Sequence, residues 1–276
     1  MYPTSTEIAA FLNEDIGSGD LTATIIPINT KATANVITRQ DIVLCGQTWF
    51  EAVFKHLSTD VSIEWFCKDG DFVKANTILC KLNGPARSLL SGERTALNLL
   101  QTLSATATSA RLYANAVAGT DCKVLDTRKT IPGLRQAQKY AVRCGGCFNH
   151  RIGLFDAILI KENHIIAAGS ISQAVLSARQ CSQAMVEVEV ENLDEFALAL
   201  AAKPDRIMLD NFSIADIVTA VNNNCGKAEL EASGNITLDN IREYARTGVD
   251  FISIGALTKH LTAADLSMRI ELRSTE

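Results

Sequence analysis

The sequence predicts an α/β protein in two unequal parts, an N-terminal α+β sandwich followed by a parallel βαβ region. Two observations predict it. Between residues 31 and 83, short alternating runs (KATANVITRQDIVLCG, VSIEWFCKDGDFVKANTILCKLNG) are broken at Asp69-Gly70 and Asn83-Gly84-Pro85, the punctuation of antiparallel strands. From Lys123 onward, six apolar segments alternate with helical stretches, the rhythm of parallel βαβ units. At 276 residues, 47% of them apolar, the chain can bury cores for both parts.

The elements follow in order. Residues 5–14 read as a helix capped by Ser5 or Thr6, with Ile8, Phe11 and Leu12 on one face. EDIGSGDLTA (14–23) is a turn-rich connection. WFEAVFKHL (49–57) is a helix between the strands of the first part, which is then a single helix-covered sheet. Helical spacing runs over 88–119 and stops at Gly119. Its small residues Ala105, Ala107, Ser109 and Ala110 permit close packing, and the domain boundary falls in or near it. Residues 1–110 form the first domain and 111–276 the second, with about 266–276 able to pack back on the first. The strands of the second part are 123–128, 156–161, 185–190, 206–211, 228–233 and 251–256; the helices include 133–144, 170–181, 193–202, 213–224 and 237–247. Six strands are too few for an eight-stranded barrel. A nearly closed barrel and an open doubly wound sheet both satisfy the spacing.

Composition narrows the function. A formal net charge of −5 argues against general nucleic-acid binding, which wants a basic domain. Against that background the stretch 126–164 is unusual, because Arg128, Lys129, Arg135, Lys139, Arg143, His150, Arg151, Lys161 and His164 all fall inside it. A local basic cluster in an acidic protein predicts a pocket for a small polyanion, framed by two strands. The N-terminus has no basic region followed by an apolar one, and no apolar run approaches the roughly 20 residues that span a bilayer. The eight cysteines follow no secreted-scaffold pattern. The expectation is a soluble cytoplasmic protein with no membrane and no nucleic-acid partner.

Ligands of parallel α/β sheets bind at the C-terminal ends of the strands. Polar residues gather there: Arg128 and Lys129 after the first strand, Lys161 after the second, and Glu189 and Glu191 at the third. Asp210 and Asn211 end the fourth, Ser233-Gly234-Asn235 the fifth, and Gly255 the sixth. In MVEVEVE, Glu187, Glu189 and Glu191 alternate and so share a face. Carboxylates on a strand covered on both sides need a cation, which predicts that some of them face Lys129, Lys161 or a bound magnesium ion. SGN (233–235) and IGA (254–256) put glycine where backbone N–H groups can approach a phosphate. Cys144-Gly-Gly-Cys147 has metal-site spacing but no second pair of ligands, and it lacks a redox-motif context, so neither role is expected of it; His56 and His260 read as surface or packing residues.

DTRKTIPGLRQAQKYAVRCGGCFNHRIGLFDAILIKENH, with EDIGSGDLTA, GERTALNLLQTLSATAT, VEVEVENLDE, DRIMLDNFS and LEASGNITLDNIREYARTGVDFISIGALT, resembles the nicotinate-nucleotide pyrophosphorylase (carboxylating), or quinolinate phosphoribosyltransferase, family over nearly the whole chain. The resemblance implies an α/β sandwich domain followed by an incomplete α/β barrel, assembled as a homodimer or larger with sites at the subunit interface. It implies that quinolinate and phosphoribosyl pyrophosphate are joined with Mg2+ to give nicotinate mononucleotide, pyrophosphate and carbon dioxide. Carried over by motif, Arg94 of GERTALN binds a quinolinate carboxylate in the partner's site. Arg128, His150, Arg151 and Lys161 complete that pocket, with Thr127 in the same loop. Lys129, Glu189 and Asp210 serve the phosphoribosyl donor and its metal, Lys161 joining them as catalytic residues. Ser233, Gly234 and Asn235, with Ile254, Gly255 and Ala256, hold the phosphate.

Two departures stand out. SGN replaces the SGG common in the family, and Cys147 stands where glycine is common. Arg135, Lys139 and Arg143 fall on a helix leading away from the strand end and read as surface or structural. A molybdenum-transport-associated homologue of the ModD type and a non-catalytic anion-binding barrel are the alternatives. The NHRIGLFDAILIKENH stretch favours the enzyme over the first, and intact Lys129, Lys161, Glu189 and Asp210 favour it over the second.

Overall fold

A computed structural model describes residues 2–272; residues 273–276, the end of the predicted returning stretch, lie outside the described residues. The chain forms two compact units. One contains residues up to Ala110, the short excursion Gln136–Gly146 and the C-terminal stretch from His260; the other contains Arg111–Arg135 and Cys147–Lys259. Residues 136–146 and 260–272 thus group with the first unit.

The first unit begins with helix α1 (Ser5–Ile16). Its cap is Thr4, one residue earlier than expected, in a capping box with Glu7: the Glu7 N–H donates to Thr4 Oγ1 (3.2 Å) and the Thr4 N–H to Glu7 Oε2 (2.7 Å). Then follow β1 (Lys31–Thr38), β2 (Ile42–Val43), α2 (Gln47–Leu57), β3 (Ser62–Trp65), β4 (Phe72–Val73), β5 (Ile78–Pro85) and the long helix α3 (Ala86–Ala116), whose last turns belong to the second unit. The last strand of the chain, here β12 (Leu266–Leu272), pairs antiparallel with β1 and completes a four-stranded sheet in the order β12-β1-β5-β3; β2 and β4 form a separate pair. In β1 every second residue is buried, the half-covered pattern of an antiparallel sheet. Phe50 and Phe54 of α2 are fully buried and meet edge to face, 5.1 Å between centroids. Burying each contributes on the order of 2–3 kcal/mol. Gly92 of α3 lets the two helices close: a Cβ there would stand 2.8 Å from the Phe54 ring.

The second unit is built on six parallel strands. In chain order they are β6 (Lys123–Leu125), β7 (Ile158–Ile160), β8 (Val186–Val190), β9 (Arg206–Asp210), β10 (Glu229–Ser233) and β11 (Phe251–Ser253). The helices between and after them are α4 (Arg135–Cys144, grouped with the first unit from Gln136), α5 (Glu162–Ala168), α6 (Ile171–Cys181), α7 (Leu193–Ala202), α8 (Ile214–Asn224), α9 (Ile241–Ala245) and α10 (Ala256–Lys259). The sheet order is β6-β11-β10-β9-β8-β7. Each strand from β7 to β10 lies beside its successor, and β11 lies beside β6. A doubly wound sheet reverses direction at a switch point, and this one does not. The fold is an incomplete barrel, open between β6 and β7.

Local sequence explains the helix starts. Ser170, Asn192 and Ser213 each accept a backbone N–H three residues on, capping α6, α7 and α8. α9 is shorter than its predicted 237–247, because Asn240 caps nothing and instead accepts the Thr237 N–H in a turn. α5 was not anticipated.

Candidate active site

Strand alternation sorts the barrel into two faces. One carries Val186, Val188, Ile207, Leu209, Leu230 and Ile252, all buried. The opposite face carries Glu187, Glu189, Arg206, Asp210, Glu229, Glu231, Ser233 and Ser253 among the apolar Leu159, Met208 and Phe251, so charged groups run through the depth of this side of the sheet. β8 is no edge strand: it pairs with both β7 and β9. Its three alternating acids meet three different partners. Glu189 pairs with Lys161. Glu187 meets His150, Nε2 to Oε2 2.9 Å, with both side chains buried. Glu191 is exposed and faces Glu162, whose hydrogen bond and negative charge raise its pKa.

At the C-terminal ends of the strands lies a cavity of about 170 Å³. At ~30 Å³ per water molecule that is room for about six waters, or one small ring with substituents. Its wall is formed by Thr127, Arg128 and Lys129 after β6, His150 and Arg151 ahead of β7, and Lys161 at its end. Ser233 of β10 joins them. Leu159 and Ser253 also line it; neither stood out in the sequence, although each occupies an inward position of its strand. Arg128 Nε is buried without a hydrogen-bond partner among the described residues, which leaves a donor for a ligand to satisfy. Burial and the neighbouring Arg128 charge lower the pKa of Arg151.

Backbone detail positions these groups. The Lys129 N–H donates to Thr127 Oγ1 (3.1 Å), and Thr258 Oγ1 donates to the Lys129 carbonyl (2.8 Å). Arg135 is structural: Nε reaches Thr130 Oγ1 and Nη1 the Ile152 carbonyl, tying the two cavity loops together. Lys139, by contrast, is fully buried and no surface residue; Arg143 is exposed. Gly255 allows Lys129 to lie across the chain, since a Cβ there would come within 3.1 Å of Lys129 Cδ. Ile254 is buried, so this loop offers backbone rather than that side chain, and Ala256 opens α10. Gly234 has φ +93° and packs on Asn211, while Asn235, at φ +52°, donates from Nδ2 to Asn211 Oδ1 (3.0 Å). Asparagine tolerates this left-handed conformation.

Asp210 ends β9 and accepts from Asn211 Nδ2 (2.7 Å). Asp210 and Glu189 do not line the cavity directly; Glu189 connects to it through Lys161. Arg94 is exposed on α3 in the first unit. Cys144 and Cys147 fall in different units: the free thiol of Cys144 is in hydrogen-bond contact with Cys45 and Tyr140, whereas Cys147 is buried, which pushes its thiol pKa up to about 12. His56 and His260 are exposed.

A second cluster had no counterpart in the sequence reading. His150 Nε2 lies 2.9 Å from Glu187 Oε2 and 3.5 Å from Glu231 Oε2, with all three side chains buried. One atom from each lies within 4.8 Å of the others, a spacing that a metal ion could bridge. Arg206 Nη1, however, already donates to Glu231 Oε2 (3.1 Å). Burial alone would lower the His150 pKa, but the two carboxylates outweigh it and raise it to about 9.

A parallel barrel with cations around a small cavity at its C-terminal end, flanked by glycine loops, is the build of an enzyme that acts on anionic small molecules. Residues 20–104 match the family description quinolinate phosphoribosyl transferase, N-terminal domain, and residues 106–269 the corresponding C-terminal domain. The chain is 41% identical over 264 residues to a probable nicotinate-nucleotide pyrophosphorylase [carboxylating] of Bacillus subtilis, covering 95% of this chain and 91% of that protein. It is 38% identical to the chloroplastic nicotinate-nucleotide pyrophosphorylase [carboxylating] of Arabidopsis thaliana, covering 98% and 83%. The solved nicotinate-nucleotide pyrophosphorylase of Francisella tularensis superposes with a TM-score of 0.94 at 49% identity, covering 98% of both chains. The chain belongs to the quinolinate phosphoribosyltransferase family. No helix among the described residues is long and apolar enough to cross a membrane.

Proposed function

We propose that this protein transfers the phosphoribosyl group of phosphoribosyl pyrophosphate to quinolinate with decarboxylation, giving nicotinate mononucleotide, pyrophosphate and carbon dioxide for NAD biosynthesis. The observation that carries this reading is the cavity in which Arg128, His150, Arg151 and Lys161 converge on space for one small ring. Quinolinate is a planar dianion, and guanidinium forks bind carboxylates in two-point contacts. Thr127 shapes the same loop. Arg94 adds a further carboxylate contact from the partner subunit of a homodimer or larger assembly, and the enzyme works in the cytoplasm.

The ring nitrogen attacks the ribose C1′ as the diphosphate leaves. Positive charge develops on the sugar, and Glu189 and Asp210 at the strand ends stabilise it. Carbon dioxide then leaves the ring 2-position and a proton takes its place. The electron pair left on that carbon is stabilised by the adjacent cationic nitrogen. Lys129 holds the donor's phosphates, with the backbones of Ser233-Gly234-Asn235 and Ile254-Gly255-Ala256. Glu189 and Asp210 are hard oxygen donors on the same face of neighbouring strands, which suits Mg2+. They would hold a magnesium ion, which when bound supplies countercharge to the diphosphate.

The direct test is purified protein with quinolinate, phosphoribosyl pyrophosphate and a magnesium titration, read as nicotinate mononucleotide by chromatography. Absence of product at every magnesium concentration overturns the reading. Gly234→Ala probes the phosphate loop: its new Cβ would stand 2.2 Å from Asn211 Oδ1 at a left-handed φ. The expected result is a KM for phosphoribosyl pyrophosphate raised about tenfold, the ~1.4 kcal/mol scale of one strained residue, with quinolinate binding little changed.

A further inference from the structure

We propose that Glu187 and Glu231 are positioning residues which, balanced by Arg206, keep His150 a fixed cation in the wall of the dicarboxylate cavity. The proposal rests on the reading of that cavity as the quinolinate site and assigns work to three residues behind it.

The geometry is a stack of charges through the barrel. His150 lines the cavity. Its Nε2 lies between Glu187 of β8 and Glu231 of β10, 2.9 and 3.5 Å away, where those side chains are 1% and 0% exposed. Below them Arg206 of β9 donates to Glu231 Oε2 (3.1 Å) and, through Nη2, to Glu229 Oε2 (2.8 Å). The Arg206 guanidinium stacks on the Phe251 ring at 3.9 Å, which fixes its plane. Asp126 holds the backbone end of the histidine, its Oδ1 accepting the His150 N–H (2.9 Å).

Charge decides what this stack does. Arg128, Arg151 and Lys161 line the same cavity as His150, and three cations so near favour a neutral imidazole. The two buried carboxylates act in the opposite sense from behind. With the imidazole charged, two buried anions face two cations, His150 and Arg206. With it neutral, the two carboxylates share Arg206 alone, and burial together with the Glu231 charge pushes the Glu187 carboxyl up, which the charged imidazole opposes. The raised His150 pKa is the expected consequence. A charged imidazolium presents N–H donors at both ring nitrogens, so neither can accept a proton in place of holding a carboxylate. Glu187 and Glu231 touch no substrate; they set the charge and pose of a residue that does.

The test uses the full-length protein. The chain has four histidines, so His150 ring signals can be followed by NMR through a pH titration and assigned by their loss in His150→Asn. The expected midpoint in the free wild-type protein is near 9. In Glu231→Gln it falls by at least one unit, a tenfold change in proton affinity. Quinolinate binding, measured by calorimetry without turnover, is then nearly flat between pH 6 and 8 in wild type, whereas in Glu231→Gln it weakens across that range by about twofold for a midpoint at 8 and about tenfold for a midpoint at 7. A merely structural Glu231 would leave the pH dependence unmoved. A wild-type midpoint at or below 6.5 overturns the proposal, whether or not Glu231→Gln folds, as does an unshifted midpoint in that variant. Absence of quinolinate binding at every pH, beside a midpoint near 9, would strike the functional reading and leave the charge relation standing.

Discussion

Lys161→Ala lowers kcat/KM by two to three orders of magnitude, the loss typical of removing one preorganised donor to a developing or bound charge, about 2.7–4 kcal/mol. Lys161 lines the cavity and pairs with Glu189, so a single truncation removes a carboxylate partner and leaves a largely buried acid without its cation. Lys161→Arg recovers little, because a flat guanidinium cannot replace a compact ammonium at a position this close. Steady-state kinetics with quinolinate varied checks both. Under the proposed assembly, Arg94→Ala is also nearly inactive, yet mixing it with Lys161→Ala restores part of the activity, since some heterodimer sites carry neither lesion. Exchange of subunits without recovery would rule out a shared site.

Arg206→Met is the second large effect, and it falls on stability. The guanidinium is one-tenth exposed and bonds two acids, one of them completely buried. Its loss strands Glu231 beside Glu187, which costs about 3–5 kcal/mol. At roughly 2–4 °C per kcal/mol for a chain of this size, the thermal midpoint drops by about 6–20 °C in a calorimetric scan. Adding Glu231→Gln to Arg206→Met removes the stranded charge and regains much of the loss, so the two changes are not additive. A single variant melting within a degree of wild type would show that the ion pair is dispensable.

Much of this was legible in the sequence because the signals were local. Each of the six strands was visible as an apolar segment between helical runs, and α7 was found at its observed limits because Asn192 caps it and Glu195 follows three residues on. The stretch 126–164 supplied most of the cavity wall, since flanking strands β6 and β7 bring both its ends to one place. What escaped was set by tertiary structure. Barrel closure depends on β11 lying beside β6, which spacing along the chain does not encode. The His150, Glu187 and Glu231 cluster joins a loop and two non-adjacent strands. Lys139, which reads as surface or structural, is fully buried. α5 starts directly after β7, its first turn held by the Lys161 N–H donating to His164 Nδ1 (3.0 Å), a cap that composition does not announce.

The excursion of α4 has a consequence for recombination between relatives. Its residues Gln136–Gly146 pack with the first unit, where Tyr140 meets Trp49 and donates to Asp69, although both flanking segments belong to the barrel. A chimera that swaps everything after residue 110 would import a foreign helix into the core of the unit it meant to leave alone. Functional hybrids of this family should therefore exchange 136–146 and the returning β12 together with the N-terminal sheet, so that the inheritable blocks are discontinuous in the gene.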